Sequence, residues 1–281
     1  MNKHVKIFGK DVEVLVESDA DNSVFEEIFT DRDYGICDDV IKKAGASILD
    51  IGAHKGYFSI YAGVLNNNVK IFAYEPEEKN FAVLKENLKM NRVKNVIVKN
   101  VAVCGKDGMC ELFLSEDSHN HSVISGGVVG EEVAFKKVNC VSLQTIIEKH
   151  LAKEQCDFVD LVKMDCEGAE FEILESADAF AGGRGIFEKI KAFCLEYHEF
   201  LPEMRAERLV NILKKHGYKV DVKKSHYDGR MGFIWARRGG LSIAGHSCGI
   251  VVVFCALYII YIKYGGVDAF RFGTCNTGVG R

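Results

Sequence analysis

Short apolar runs alternate with amphipathic segments between residues 47 and 238, and this alternation predicts an α/β fold. Four apolar runs carry an acidic residue at or near their ends and are predicted as strands of one parallel sheet: 47–51, 69–75, 158–165 and 192–198. The segments that follow them have apolar residues at helical spacing: 57–65, 77–91, 171–176 and 202–216. Two further strands, 219–222 and 232–236, are predicted to form an antiparallel pair.

The first strand leads into a glycine turn with the pattern D-x-G-x-x-x-G, which starts at Asp50. Gly52 permits unusual backbone angles and close approach of a ligand, and Gly56 lets the next helix begin near the sheet. A glycine turn that binds a dinucleotide would have its second glycine at position 54, where this chain has His54. Asp50 would repel a diphosphate, but it suits the ammonium and sulfonium of S-adenosylmethionine. The alternative is a turn that serves chain reversal only.

Acidic residues end the other strands as well. Glu75 follows the second strand, where an acid accepts the hydroxyls of a ribose, although a helix-capping or solvated glutamate has the same pattern. Asp165 ends the third of these strands, and Glu196 and His198 lie near the end of the fourth. Because parallel strands end at one edge of a sheet, we expect all four side chains to face one crevice.

The flanks of this α/β domain differ from it. Residues 1–46 are predicted as a hairpin followed by a helical flank, with Ser23 as the cap of a helix over 23–29. A single strand is predicted over 96–103. Residues 115–130 are polar and glycine-rich, and we favour a solvated loop there over a metal or substrate role for His119 and His121.

The C-terminal residues 239–281 form a third segment, because residues 239–262 contain no Asp, Glu, Lys or Arg. Such a run is long enough to cross a bilayer, so a membrane-spanning helix is predicted over 241–262, with the enzyme domain on the cytoplasmic side. Arg237, Arg238 and Lys263 flank this run. The alternative is an appended stretch without function.

Composition narrows the class of protein. The chain has 281 residues, is 48% hydrophobic and 27% charged, and has a formal net charge of −4, which together indicate an ordered globular protein without a nucleic-acid partner. The first ten residues lack a secretory signal, so a cytoplasmic protein with reduced thiols is expected. The cysteines between residues 37 and 194 show no C-x-x-C spacing, so no metal site is predicted from them.

Three motifs, D-I-G-A-H-K-G-Y-F-S, F-A-Y-E-P and K-M-D-C-E-G-A-E-F-E-I-L, resemble those of the FkbM family of S-adenosylmethionine-dependent methyltransferases. The resemblance covers about residues 34–235 and makes 47–238 a methyltransferase domain. It implies a Rossmann-like sheet of seven strands, mostly parallel with an antiparallel last strand, and helices on both faces. It also implies O-methylation of a hydroxyl on a sugar, glycan, lipid or secondary metabolite. Family members often have asparagine where this chain has His54.

The same resemblance assigns residues to the cofactor S-adenosylmethionine. Its methionine end would contact the glycine turn, its ribose would contact Glu75, and its methyl group would lie beside two acids of the third motif. The cofactor-binding residues predicted in this way are Asp50, Gly52, Ala53, Gly56, Glu75, Asp165 and Glu167.

An alcohol acceptor must lose a proton, and His198 is the first candidate for the general base, followed by Asp165. Asp165 and Glu196 are an alternative pair that would hold a divalent ion, and a structural role for His198 also stays open. Two other classes compete with the methyltransferase: a nicotinamide-dependent oxidoreductase and a non-catalytic, membrane-tethered binding module. The sequence assigns no oligomeric state.

Overall fold

The apolar runs form strands of three sheets. The structure of the chain, a computed structural model, describes residues 1–115, 121–124, 134–154, 157–180, 184–225 and 229–239. The strands are β1 (Asn2–Ile7), β2 (Lys10–Leu15), β3 (Ser47–Ile51), β4 (Lys70–Tyr74), β5 (Val96–Lys99), β6 (Ala102–Cys104), β7 (Gly108–Phe113), β8 (Phe135–Ser142), β9 (Leu161–Met164), β10 (Ala192–His198), β11 (Tyr218–Lys224) and β12 (Met231–Arg238).

The central sheet has seven strands in the order β11-β12-β10-β9-β3-β4-β5. Strands β10, β9, β3, β4 and β5 run parallel to one another, whereas β12 runs antiparallel to both β10 and β11. The predicted fold class, a mostly parallel sheet with an antiparallel last strand, is confirmed. The last strand of the chain, β12, lies between β11 and β10, so it is inside the sheet and not at its edge.

Helices cover both faces of this sheet. Successive strand residues point to opposite faces, and Ile48 and Leu49 accordingly belong to two different buried clusters. One cluster includes residues of α5 to α8, and the other includes residues of α1 to α4. The helices are α1 (Asp19–Phe25), α2 (Asp38–Lys43), α3 (Tyr57–Leu65), α4 (Glu78–Met90), α5 (Leu143–Glu154), α6 (Ala169–Ala179), α7 (Arg184–Phe187) and α8 (Ala206–Lys215).

The N-terminal flank contains the predicted hairpin, β1 and β2, but its first helix begins earlier than predicted. Ser18 and Asp21 form the capping box, in which the Asp21 N–H donates to Ser18 Oγ and the Ser18 N–H donates to Asp21 Oδ2. The prediction that Ser23 is the cap is wrong, because Ser23 lies inside α1. A π-helical turn, Glu26–Thr30, continues α1.

The strand predicted over 96–103 is split in two. Strand β5 ends at Lys99, and the Asn100 side chain donates to the carbonyl oxygens of Glu75 and Pro76. The chain then leaves the central sheet, and β6 joins a separate three-stranded sheet in the order β6-β8-β7. Sequence periodicity does not reveal this break, because only two polar residues, Lys99 and Asn100, separate the two apolar runs.

The predicted membrane-spanning segment, 241–262, lies outside the described residues. Among the helices that the structure describes, none combines the length and the apolar character that a membrane crossing requires. His119 also lies outside the described residues.

Candidate functional site

A cavity lies at the carboxyl edge of the central sheet, where β3, β4, β9 and β10 end. Its walls include most of the residues that the sequence predicted for the cofactor and for catalysis: Gly52, Ala53, Glu75, Asp165, Glu167 and His198. Two predicted residues, Asp50 and Gly56, do not line it. The four side chains expected to face one crevice, Glu75, Asp165, Glu196 and His198, all line this cavity.

The glycine turn is packed against the loop that follows β9. Gly52 has a φ of +73°, and a Cβ atom at this position would lie 1.7 Å from the Asp165 carbonyl oxygen. The N–H groups of Gly52 and Ala53 both donate to the Tyr74 carbonyl, at 3.1 and 2.9 Å. Only glycine can therefore hold the first turn this close to Asp165, and the side of the turn that lines the cavity is backbone.

Gly56 serves the packing of helices. It is the N-terminal cap of α3 with a φ of +83°, and a Cβ atom there would lie 3.0 Å from Leu84 Cγ of α4. Gly56 thus lets α3 begin close to α4, whereas the sequence predicted a close approach of this helix to the sheet.

Asp50 lies beneath the glycine turn in a buried ion pair with Lys163. The two residues are opposite each other on β3 and β9, and Lys163 Nζ lies 3.4 Å from Asp50 Oδ1. Ser59 Oγ donates to Asp50 Oδ2 at 2.6 Å, and Lys163 Nζ donates to the Gly52 carbonyl at 2.9 Å. Burial alone would lower the pKa of Lys163, but Asp50 and Asp165 raise it above its usual value. Asp50 and Lys163 thus support the turn.

Glu75 is a buried acceptor at the end of β4. Its Oε2 accepts the His54 N–H and its Oε1 accepts the Glu77 N–H, both at 2.8 Å. Burial raises the pKa of Glu75 to about 7, although the two N–H groups oppose this rise. A carboxylate has roughly four acceptor positions, so these two bonds leave room for the two hydroxyls of a ribose.

His198 lies among three glutamates. Its Nε2 is 3.6 Å from Glu167 Oε2 and 4.0 Å from Glu196 Oε1, and its Nδ1 is 3.7 Å from Glu170 Oε1. Burial would lower the pKa of His198, but Glu167, Glu170 and Glu196 raise it well above its usual value. The three glutamates therefore favour the protonated form of the imidazole.

The pKa values of the carboxyl groups in this cluster are raised as well. Burial raises the pKa of Glu167 to about 8, with His198 opposing the rise and Asp165 adding to it. Burial, Glu27 and Asp165 raise the pKa of Glu196 well above its usual value. The cluster as a whole can take up and release protons in the neutral to mildly alkaline range, which is the property that acid–base catalysis needs.

The loop that carries Glu167 is held by Glu170. This buried carboxylate accepts the N–H groups of Cys166 and Gly168 at 2.6 and 2.9 Å. Glu167 has a φ of +52°, an uncommon conformation for a residue with a side chain, and its carbonyl accepts the Ser122 hydroxyl at 2.6 Å. The motif D-C-E-G-A-E therefore combines a loop with the carboxylate that fixes it, and sequence analysis missed the role of Glu170.

The N-terminal flank supplies a further acid that sequence analysis missed. Glu27, in the π-helical turn after α1, lines the cavity, and burial together with the neighbouring Asp165 raises its pKa to about 8. His121 lines the cavity as well, and its Nδ1 accepts the Ser115 N–H at 3.0 Å. The signal for Glu27 in the sequence is weak, because an amphipathic flank contains several acids.

The residues present fit a cofactor that carries positive charge. Five acidic side chains line the cavity: Glu27, Glu75, Asp165, Glu167 and Glu196. The space beside the missing Cβ of Gly52 is taken by the Asp165 carbonyl oxygen and not by a ligand, so the fit rests on the acids, which suit a sulfonium and an ammonium. Asp165, Glu196 and His198 also offer ligand atoms within 4.8 Å of one another, so the divalent ion considered from the sequence stays a prediction.

Comparison with known proteins gives the family. The profile of the Methyltransferase FkbM domain matches residues 50–220. The chain is 26% identical over 180 residues to "Methyltransferase sdnD" of Sordaria araneosa. The aligned region covers 55% of this chain and 68% of that protein. It is 25% identical over 223 residues to "31-O-demethyl-FK506 methyltransferase FkbM" of Streptomyces tacrolimicus, which covers 70% of this chain and 81% of that protein.

Among solved structures, the M. jannaschii protein TYW2 in complex with AdoMet is similar with a TM-score of 0.40 and 15% identity, over 84% of this chain and 86% of that one. The family profile spans the glycine turn, Glu75 and the loop after β9. A methyltransferase profile over this region overturns the alternative of a nicotinamide-dependent oxidoreductase. The chain belongs to the FkbM methyltransferase family and is an S-adenosylmethionine-dependent methyltransferase.

Proposed function

We propose that this enzyme methylates a hydroxyl group of a small molecule or glycan. The observation that carries the proposal is the cluster of His198 with Glu167 and Glu196, which meets the glycine turn and Glu75 in a single cavity. An alcohol is a poor nucleophile until it loses a proton, and a buried acid–base cluster supplies that step. The name of the Streptomyces tacrolimicus relative, a methyltransferase of a 31-O-demethyl compound, supports transfer to oxygen.

In this proposal, S-adenosylmethionine supplies a methyl group that its sulfonium activates. Glu75 accepts the ribose hydroxyls with the lone pairs that His54 and Glu77 leave free. Gly52 and Ala53 present backbone to the methionine end, and Lys163 with Asp50 keeps that backbone in place from below. Asp165 and Glu167 face the positive charge. The remaining requirement is alignment of the acceptor, because in-line displacement depends mainly on geometry.

The proton of the acceptor passes to the pair formed by Glu167 and His198. The sequence predicts the His198 imidazole as the base; because three neighbouring glutamates raise the pKa of His198, this proposal gives the proton to a carboxylate instead. Glu167 lies 3.6 Å from His198 Nε2, and its pKa of about 8 makes it an effective acceptor of protons at mildly alkaline pH. Asp165 orients the acceptor beside this pair.

The proposal is tested by release of S-adenosylhomocysteine from the full chain in the presence of glycans, hydroxylated lipids and polyketides. We expect release with at least one hydroxylated acceptor and none with the same acceptor after its hydroxyl is blocked. Cofactor binding without release for any acceptor would favour the non-catalytic binding module. The same assay after treatment with a chelator tests the divalent ion: unchanged release supports the Glu167–His198 pair, and lost release that Mg²⁺ restores assigns Asp165, Glu196 and His198 to a metal.

A further inference from the structure

Three cysteines meet on the small sheet, away from the acid–base cluster. The sulfur atoms of Cys104, Cys110 and Cys140 all lie within 4.8 Å of one another. Cys104 and Cys140 are buried, and Cys110 is half-buried. All three are free thiols, although the sequence shows them as single, widely spaced residues.

Strand pairing places these three residues on one face of the small sheet. Cys140 on the central strand β8 is opposite Ala102 of β6 and Gly108 of β7. Cys104 is opposite Ser142 and Cys110 is opposite Val138, so each pairs two residues away from Cys140, in opposite directions along β8. Because side chains alternate between the two faces of a strand, all three thiols lie on the same face of the sheet.

We propose that Cys104, Cys110 and Cys140 bind one thiophilic metal ion, such as Zn²⁺ or Cu⁺, as three thiolates. Thiolate sulfur is the ligand that these ions prefer. A Zn–S bond of about 2.3 Å requires sulfur atoms roughly 3.8–4.0 Å apart, so a triangle already within reach needs only small side-chain movements. On coordination each thiol loses its proton to solvent, and three S–metal bonds form without any change of oxidation state.

This metal site would support one wall of the cofactor cavity. Ala102 and Leu112 line the cavity, and each lies two residues from a cysteine of the cluster on the same strand. An ion that links β6 and β7 to β8 would therefore hold this wall of the cavity in place, whichever atom of the acceptor is methylated. The inference does not rest on the proposed hydroxyl acceptor.

The experiment titrates the reduced, metal-free full chain with Zn²⁺ and, separately, with Cu⁺ in competition with a chromophoric chelator. We expect one equivalent of at least one of the two ions to bind per chain, with release of protons. Cys110→Ser, at the half-buried position, should lower that affinity by at least about tenfold, since even outer partners of metal ligands contribute that much. Cys37→Ser is the matched control, because Cys37 is a buried cysteine outside the cluster and should leave the affinity unchanged.

A second measurement needs no variant. Alkylation of the unmodified chain, mapped by mass spectrometry with and without the ion, should show protection of Cys104, Cys110 and Cys140 and no change at Cys166, which is also half-buried. Cofactor binding by each variant, measured by calorimetry, verifies that it is folded. The proposal is wrong if neither ion binds stoichiometrically, or if alkylation of the three cysteines is the same with and without it.

Discussion

At the scale of single residues, the position of each carboxylate relative to backbone N–H groups decides what it can bind. Glu75 accepts two N–H groups and keeps acceptor capacity toward the cavity. Glu75→Ala should weaken S-adenosylmethionine binding by about 1–3 kcal/mol, or roughly 5- to 150-fold, through lost hydrogen bonds. Isothermal calorimetry measures this loss.

Glu78→Ala is the control for Glu75→Ala, because Glu78 is the first residue of α4, three residues after Glu75, and is 78% exposed. It should bind the cofactor as the parent does. Equal affinity of the parent and Glu75→Ala, with both proteins folded, would remove Glu75 from the cofactor site.

The proposed base gives a prediction for the pH dependence of turnover. A carboxylate base is active when ionised, so activity should rise as pH passes through about 8, the pKa of Glu167. Glu167→Gln should abolish this rise and lower kcat by ~10²–10⁴. His198→Gln should move the rise to higher pH, because His198 lowers the pKa of Glu167.

These shifts are measured from pH profiles of kcat/KM for the parent and both variants. An unchanged profile in Glu167→Gln would assign the base elsewhere, with Asp165 as the next candidate. Loss of cofactor affinity and thermal stability together in His198→Gln would instead indicate a structural histidine.

Part of the site could be predicted at this scale. Glu75, Asp165, Glu196 and His198 stand at the ends of apolar runs, and chain topology alone brings such ends together. The roles of Lys163 and Glu170 could not be predicted, because each depends on a partner that only the folded chain supplies. Lys163 faces Asp50 through the register of β9 against β3, and Glu170 accepts N–H groups of a loop with a left-handed residue.

At the scale of elements, the glycine turn should tolerate no side chain at Gly52. Gly52→Ala combines a positive φ with a Cβ atom 1.7 Å from a backbone oxygen. Gly217→Ala is the matched control, since Gly217 has a φ of +83° and nothing within 4 Å of its Cβ position. The control should lose only the free energy that a Cβ atom costs at a positive φ, about 1–2 kcal/mol.

Gly52→Ala should lose more stability than this control, and the cofactor should bind weakly, because the turn or the Asp165 loop has to move. Urea unfolding and calorimetry of both variants measure these effects. Equal stability of the two variants would show that the contact with Asp165 is not tight in solution.

Most elements of the central sheet were predictable because strands and helices here have clear periodicity. The errors lie where local signals compete. Ser18 and Ser23 both precede an acid three residues later, and only contacts of the folded chain decide between the two caps. The break at Asn100 depends on hydrogen bonds to Glu75 and Pro76, which are distant in sequence.

At the scale of the whole molecule, the acidic cavity should make stability depend on pH. Glu27 and Glu167 have pKa values raised from 4.5 to about 8, and Glu75 to about 7. Between these values and 4.5 the folded chain binds more protons than the unfolded chain, so the free energy of unfolding falls as pH rises. The raised pKa of His198 acts in the same direction, above 6.5.

Urea unfolding of the cofactor-free chain at pH 5.5 and 8.5 measures this effect. We expect the free energy of unfolding to fall by more than about 1 kcal/mol between these pH values. A pKa shift of one unit in a single group would be enough to cause a change of this size. Glu167→Gln should reduce the loss, whereas Glu78→Gln, at an exposed position, should not. Stability that rises across this range would contradict the burial of these acids.

The central claim concerns the atom that receives the methyl group. The most direct measurement follows an isotope-labelled methyl group from S-adenosylmethionine into the product of the full chain and locates it by NMR. We expect the label to be bonded to an oxygen that was a hydroxyl in the acceptor, and Glu167→Gln to form the same product slowly. A label on nitrogen, carbon or sulfur of the product would contradict the account, even though the chain would still be a methyltransferase.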